Sequence, residues 1–133
     1  MKATIHGFRV AAIALGCYWG LLFLGTHVPA NRLLSQIGHN DKLIHAAAFA
    51  GLSFLMAWAL PTNPNRPMQN VLWAAAIGFA YAPLDELLQI PVGRTADWRD
   101  VLADWIGVVL GLTVYTLSRA YVTRSQWQLF RES

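Results

Sequence analysis

Charge is scarce in this chain. Of 133 residues, 10 are Lys or Arg and 7 are Asp or Glu, or 13% together, against about 25% in an average soluble protein. The formal net charge of +3 is too small to point to nucleic acid, and no nucleic-acid partner is expected. Cysteine is nearly absent. Cys17 stands alone, which excludes an intrachain disulfide framework and a cysteine-based zinc site; it reads as a small buried hydrophobe. Nucleophile signatures are missing as well: the sequence holds no G-x-S-x-G, no H-E-x-x-H and no suggestive Cys–His pairing. It has no internal repeat and no low-complexity segment.

What is present is apolar. Hydrophobic residues make up 56% of the chain and six residues are Trp, with a mean hydropathy of +0.39. A chain this short has too little interior to hide that much apolar surface from water, so part of its solvent is lipid. Four stretches reach the about 20 residues that a bilayer crossing takes: 10–28, 43–60, 70–90 and 101–122. Punctuation separates them at Val28-Pro29-Ala30-Asn31, at Pro61-Thr62-Asn63-Pro64-Asn65-Arg66-Pro67 and at Pro91-Val92-Gly93. Such short connections force neighbouring helices antiparallel. The expectation is an all-α integral membrane protein, a four-helix bundle forming one domain over 1–133. Lys2 and Arg9 before the first run, with Val28-Pro29-Ala30 after it, resemble a cleavable leader. The run exceeds the 7–15 residues of a leader's apolar region, and four spans are retained.

With four spans both termini share a side. That side carries Lys2, Arg9, Arg66, Arg119, Arg124 and Arg131, and the other carries Arg32, Lys42, Arg94 and Arg99. This bias, six against four, favours termini in the cytoplasm. The basic face suits anionic membrane lipids. The acids are more lopsided: Asp41, Asp85, Glu86, Asp97, Asp100 and Asp104 fall at the outer end, and Glu132 alone on the terminal side.

Ionisable residues within spans are costly and by default mark function, and here they follow helical spacing. Asp41 and His45 are four apart, with Phe49 and Ser53 continuing their face. Asp85 and Gln89 are four apart, with Glu86 turned about 100° away. In the last span Asp97, Asp100, Asp104, Gly107 and Gly111 alternate steps of three and four. That seam is acidic at its mouth and small deeper down, where Gly107 and Gly111 allow a neighbouring helix to approach. Pro83 cannot donate to the Phe79 carbonyl and is expected to kink its helix. Arg94 is expected to arrive beside several carboxylates, where its fork suits a carboxylate or a phosphate.

Structural readings compete with each of these. Asp97 reads equally as an N-cap with Asp100 in the first turn, and Asn40 and Asp41 as caps of the second helix. His45 reads as a core histidine satisfied by Asp41. Arg94 reads as a buried partner of Asp85 or Glu86 that fixes register. His6, His27 and His39 lie near span ends and read as interfacial. Trp19, Trp58, Trp73 and Trp127 read as lipid-facing or belt aromatics, and Trp98 and Trp105 as packing.

Taken together, these elements resemble the VanZ-like family. Asp41-Lys42-Leu43-Ile44-His45 with Phe49 is similar to its D-K-x-x-H-x-x-x-[FY] opening, and Asp85-Glu86-Leu87-Leu88-Gln89 to its [DE]-E-x-x-Q element. Gly93-Arg94-Thr95, Asp97, Asp100-Val101, Asp104, Gly107 and Gly111 resemble its closing G-R-x-x-x-x-D-x-x-x-N-x-x-G-x-x-x-G. Asp104 stands where that pattern carries Asn, which adds a negative charge. The resemblance covers about residues 39–112. It implies a small multi-span bacterial membrane protein of a family whose namesake is associated with low-level teicoplanin resistance, and it implies no settled mechanism.

Three functions stay open at this point. The first is a polar outer pocket that binds a membrane lipid, a lipid-linked envelope precursor or a glycopeptide. The second is metal-assisted hydrolysis or transfer on a lipid-linked substrate, with a divalent cation held by His45, Glu86 and Asp104. The third is proton-coupled transport, for which four spans would have to form a homo-oligomer.

Overall fold

The computed structural model describes the backbone of residues 4–5, 8–27, 41–61, 66 and 68–131, and side chains over 10–27, 41–61, 66 and 68–122. The Val28–Asn31 punctuation, most of the 61–67 connection, His6, His39, Asn40 and the side chain of Trp127 lie outside these limits. Two strands of two residues, β1 (Thr4–Ile5) and β2 (Phe8–Arg9), pair antiparallel. Four helices follow: α1 (Val10–His27), α2 (Asp41–Ala59), α3 (Gln69–Gln89) and α4 (Trp98–Arg131). Each contains a segment long and apolar enough to cross a membrane, as the four-helix expectation required. At about 1.5 Å per residue, the 34 residues of α4 outrun a hydrocarbon core of about 30 Å.

Its surface is that of a protein in lipid. Leu21, Leu43, Leu72, Ile106, Val109, Leu117 and many other large apolar side chains point outward, far more than a water-facing domain leaves uncovered. The core contains Phe49, Leu52, Met56, Ala74, Tyr81, Val108, Leu112 and Tyr115.

The packing is closest between α2 and α4. A Cβ on Gly107 would run into the Ala46 carbonyl, and one on Gly111 into the Ala50 carbonyl and the Ser53 hydroxyl. These two glycines therefore let two backbones meet where any side chain would hold them apart. Ser53 Oγ donates to the Phe49 carbonyl at 2.9 Å and lies 3.3 Å from the Val108 carbonyl across the seam. Helix α1 has no buried residue. It leans on the bundle through Leu15, Tyr18, Trp19 and Leu22, and the Tyr18 hydroxyl donates to the Ala48 carbonyl at 2.9 Å. A Cβ on Gly51 would occupy the space of the Tyr18 ring.

Backbone groups freed at helix ends and at proline find partners, as a low-dielectric surround demands. Buried Asn70 donates to the Ala57 and Leu60 carbonyls at 3.0 and 3.2 Å, closing the end of α2. Helix α3 runs unbroken through Pro83. The Phe79 carbonyl, which Pro83 cannot serve, accepts the indole N–H of Trp105 at 3.1 Å.

Some readings of individual residues need correction. Cys17 is exposed, because α1 packs loosely and a small apolar side chain is as well placed against lipid as in a core. Trp19 and Trp58 are partly buried, with the rest of each side chain outward: Trp19 meets the Tyr81 ring edge-on at 5.1 Å and Trp58 meets Tyr115 at 5.2 Å. Trp73 does face outward.

Candidate functional site

The start of α2, the end of α3 and the start of α4 meet at one end of the bundle. Helix α1 joins them there through its last turn, where the Thr26 carbonyl accepts from Arg94 at 3.2 Å. The chain passes from α3 to α4 through a 3-10 turn, Ile90–Val92. Gly93 then adopts φ 83°, a left-handed conformation that glycine takes without penalty. Its N–H bonds the Ile90 carbonyl at 3.1 Å and that of Arg94 bonds the Gln89 carbonyl at 3.3 Å.

Asp97 caps α4. Its Oδ1 accepts the Arg99 N–H at 2.9 Å, satisfying a donor left free in the first turn. That bond first, and Lys42 after it, hold the Asp97 carboxyl below the ordinary value of 3.8. The Asp97 N–H in turn donates to Glu86 Oε2 at 3.0 Å, so a buried carboxylate of α3 fixes the point at which α4 begins.

At the rim, Lys42 bridges the capping Asp97 and Asp100 in the first turn of α4. Its ammonium pairs with Asp97 at 3.3 Å and with Asp100, while its own side chain remains 46% exposed. Below the rim lies His45. Its Nε2 is 4.0 Å from both Asp41 Oδ1 and Asp100 Oδ2, and its Nδ1 is 3.0 Å from Asp104 Oδ1. Asp104 is six residues into α4, about 9 Å below its first residue, and is wholly buried. Its Oδ2 has no hydrogen-bond partner.

A second strand of the network runs along α3. The Tyr81 hydroxyl donates to Asp85 Oδ1 at 3.0 Å, and Gln89 Nε2 donates to Asp85 Oδ2 at 3.1 Å and to Glu86 Oε1 at 3.4 Å. Tyr81 stacks on Phe49, with centroids 5.8 Å apart, so an aromatic pair floors the polar cluster. Two sets of groups stand close enough to share a cation: Asp41, His45 and Asp100, and His45, Glu86 and Asp104. Within each set the donor atoms lie within 4.8 Å of one another. His45 belongs to both.

The VanZ/LLP1 family pattern matches residues 10–119, most of the chain. The chain belongs to the VanZ/LLP1 family. Comparisons with curated proteins and with solved structures give no match.

In this VanZ/LLP1 protein, Asp41, His45, Asp85, Glu86, Gln89, Asp97, Asp100 and Asp104 all stand at the same bundle end. Arg94 does not join the carboxylates as expected. Its guanidinium bonds the Thr26 carbonyl, because the tight turn at Gly93 directs the chain past the end of α1. The cation that meets acids here is Lys42, which pairs with Asp97 and Asp100 at the rim. Lys42 and Tyr81 are the participants that sequence reasoning missed. Tyr81 carried a signal in its four-residue spacing from Asp85; Lys42 carried only its neighbours, since its partners are more than fifty residues away in the chain.

Proposed function

We propose that this VanZ/LLP1 membrane protein binds an envelope ligand at the polar end of its bundle, and that this end faces outward from a bacterial cytoplasmic membrane. The ligand class is a membrane lipid, a lipid-linked envelope precursor or a glycopeptide. One observation carries the reading: six carboxylates from three helices converge where the described permanent cations are Lys42, Arg94 and Arg99. Charges inside a membrane protein are expensive to maintain, and an excess of acids at a mouth calls for a partner that brings a positive group. An ammonium-bearing headgroup or antibiotic fits that demand. The exposed rim at Lys42 and Asp97 above a buried floor allows a polar head to enter while its apolar part stays in lipid. A protective role against a glycopeptide is consistent with this reading. The outward orientation draws support from the Lys and Arg bias toward the terminal side, and a reporter fused to the C-terminus should be active only in the cytoplasm.

Binding is tested by thermal unfolding of the detergent-purified protein with phosphatidylethanolamine, phosphatidylglycerol, an isoprenoid phosphate or teicoplanin, with and without divalent metal. Stabilisation by an ammonium-bearing ligand, lost in Glu86→Gln and kept in Arg94→Ala, whose side chain bonds the Thr26 carbonyl instead of an acid, supports the reading. Stabilisation by the anionic lipids alone overturns the charge argument. No stabilisation by any of them, together with failure of both variants to accumulate in membranes, makes the cluster a structural ion network.

A further inference from the structure

The floor of the site differs from its rim in one respect. At the rim, Lys42 already supplies positive charge to Asp97 and Asp100. At the floor, His45, Glu86 and Asp104 are all buried and no permanent cation reaches them among the described residues. The His45–Asp104 contact satisfies Oδ1 of Asp104 and leaves Oδ2 buried without a donor. A proton shared between His45 and Asp104 serves that one oxygen and leaves the second unserved.

We propose that His45, Glu86 and Asp104 bind a first-row divalent metal ion, one per chain. The inference goes beyond ligand binding at the rim and stands without it. The donors are one imidazole and two carboxylates, a set suited to zinc- or manganese-type ions rather than to the all-oxygen preference of magnesium and calcium. They come from α2, α3 and α4 and lie within 4.8 Å of one another. Ligands around a tetrahedral ion with bonds of about 2.1 Å stand about 3.4 Å apart, so side-chain movement of about 1 Å gathers them. Two carboxylates match the ion's charge. Three protein ligands leave a coordination position open to water or to an incoming group. The outer set, Asp41, His45 and Asp100, is the poorer candidate: Asp100 is already paired with Lys42, and Asp41 is 41% exposed.

The test uses the full-length protein in detergent, stripped with EDTA and desalted, with Zn2+ and Co2+ as probes and no lipid or antibiotic added. Elemental analysis after equilibration and gel filtration should give one Zn2+ per chain. Titration should show affinity reduced at least tenfold in His45→Gln, Glu86→Gln and Asp104→Asn. Bound Co2+ should give a visible absorption band that His45→Gln alters. Circular dichroism identifies any variant that fails to fold, and the wild-type stoichiometry decides the matter without the variants. Absence of stoichiometric Zn2+ on the wild-type protein overturns the proposal, as does undiminished binding in folded Glu86→Gln and Asp104→Asn. Because no envelope ligand is present, neither result bears on binding at the rim.

Discussion

Trp105 on α4 donates its indole N–H to the carbonyl of Phe79 on α3, at 3.1 Å. Their rings lie 5.8 Å apart. Pro83, four residues beyond Phe79, has no N–H to offer, so a neighbouring helix completes a hydrogen bond that the proline removes. The contact ties α3 to α4 on the outward face of the bundle, where both side chains are exposed.

The contribution of that bond is measurable by a double-mutant cycle. Trp105→Phe should lower stability by about 1 kcal/mol, the usual net value of one hydrogen bond. In a Pro83→Ala background, where residue 83 serves Phe79 itself, the same change should cost less than half as much. Thermal unfolding of the four proteins in one detergent gives the answer, and equal losses in the two backgrounds would show that the indole bond is not a substitute for the missing one.

The glycine seam makes a sharper demand. Gly107→Ala and Gly111→Ala should each destabilise by about 1–3 kcal/mol, since the obstacles include the Ala46 and Ala50 carbonyls, which move only if α2 moves. Gly20→Ala meets nothing within 4 Å and should be neutral or stabilising by up to about 1 kcal/mol through helix propensity. Unfolding of all three under identical conditions checks the contrast. A neutral Gly107→Ala would mean that α2 and α4 stand further apart.

Asp97 sets a pH dependence whose direction is fixed. Its carboxyl titrates below its ordinary value of 3.8 in the folded protein, so its stabilising contribution is present above that value and is lost as pH falls through the lower, folded one. Between about pH 5 and 2, hydrogen exchange in the first turn of α4 should therefore accelerate in the wild-type protein. Asp97→Asn keeps a capping oxygen and removes the titration, so it should flatten Asp97's part of that dependence. An equally steep acceleration in the variant would assign the effect to another acid.

Hydropathy made the spans legible because a membrane crossing is a long, simple signal, and each helix begins within three residues of its reading. The acids could be assigned to one bundle end because antiparallel helices bring alternate ends together. Which cation would meet them was not legible. Arg94 seemed better placed in the chain, but one left-handed glycine redirects it, and the long arm of Lys42 reaches across from α2. The reading of Cys17 as buried failed for a different reason: lipid is as apolar as a protein core, so hydrophobicity does not say which way a side chain points. Pro83 announced a stranded carbonyl, whereas only the fold could show that Trp105 would come to it.

The loose seat of α1 bears on how the protein enters the membrane. Synthesised before the other three, this helix carries no charged residue between Val10 and His27 and can wait alone in lipid. Its successors cannot do so equally well. Helix α2 brings Asp41, Lys42 and His45 into the bilayer, α3 brings Asp85 and Glu86, and α4 brings Asp100 and Asp104. Lys42 and His45 find theirs on or beside α4, and Glu86 accepts the Asp97 N–H where α4 begins. The order of synthesis thus leaves α2 and α3 exposed as polar intermediates until α4 emerges, so the last helix, rather than the first, commits the protein to its final assembly.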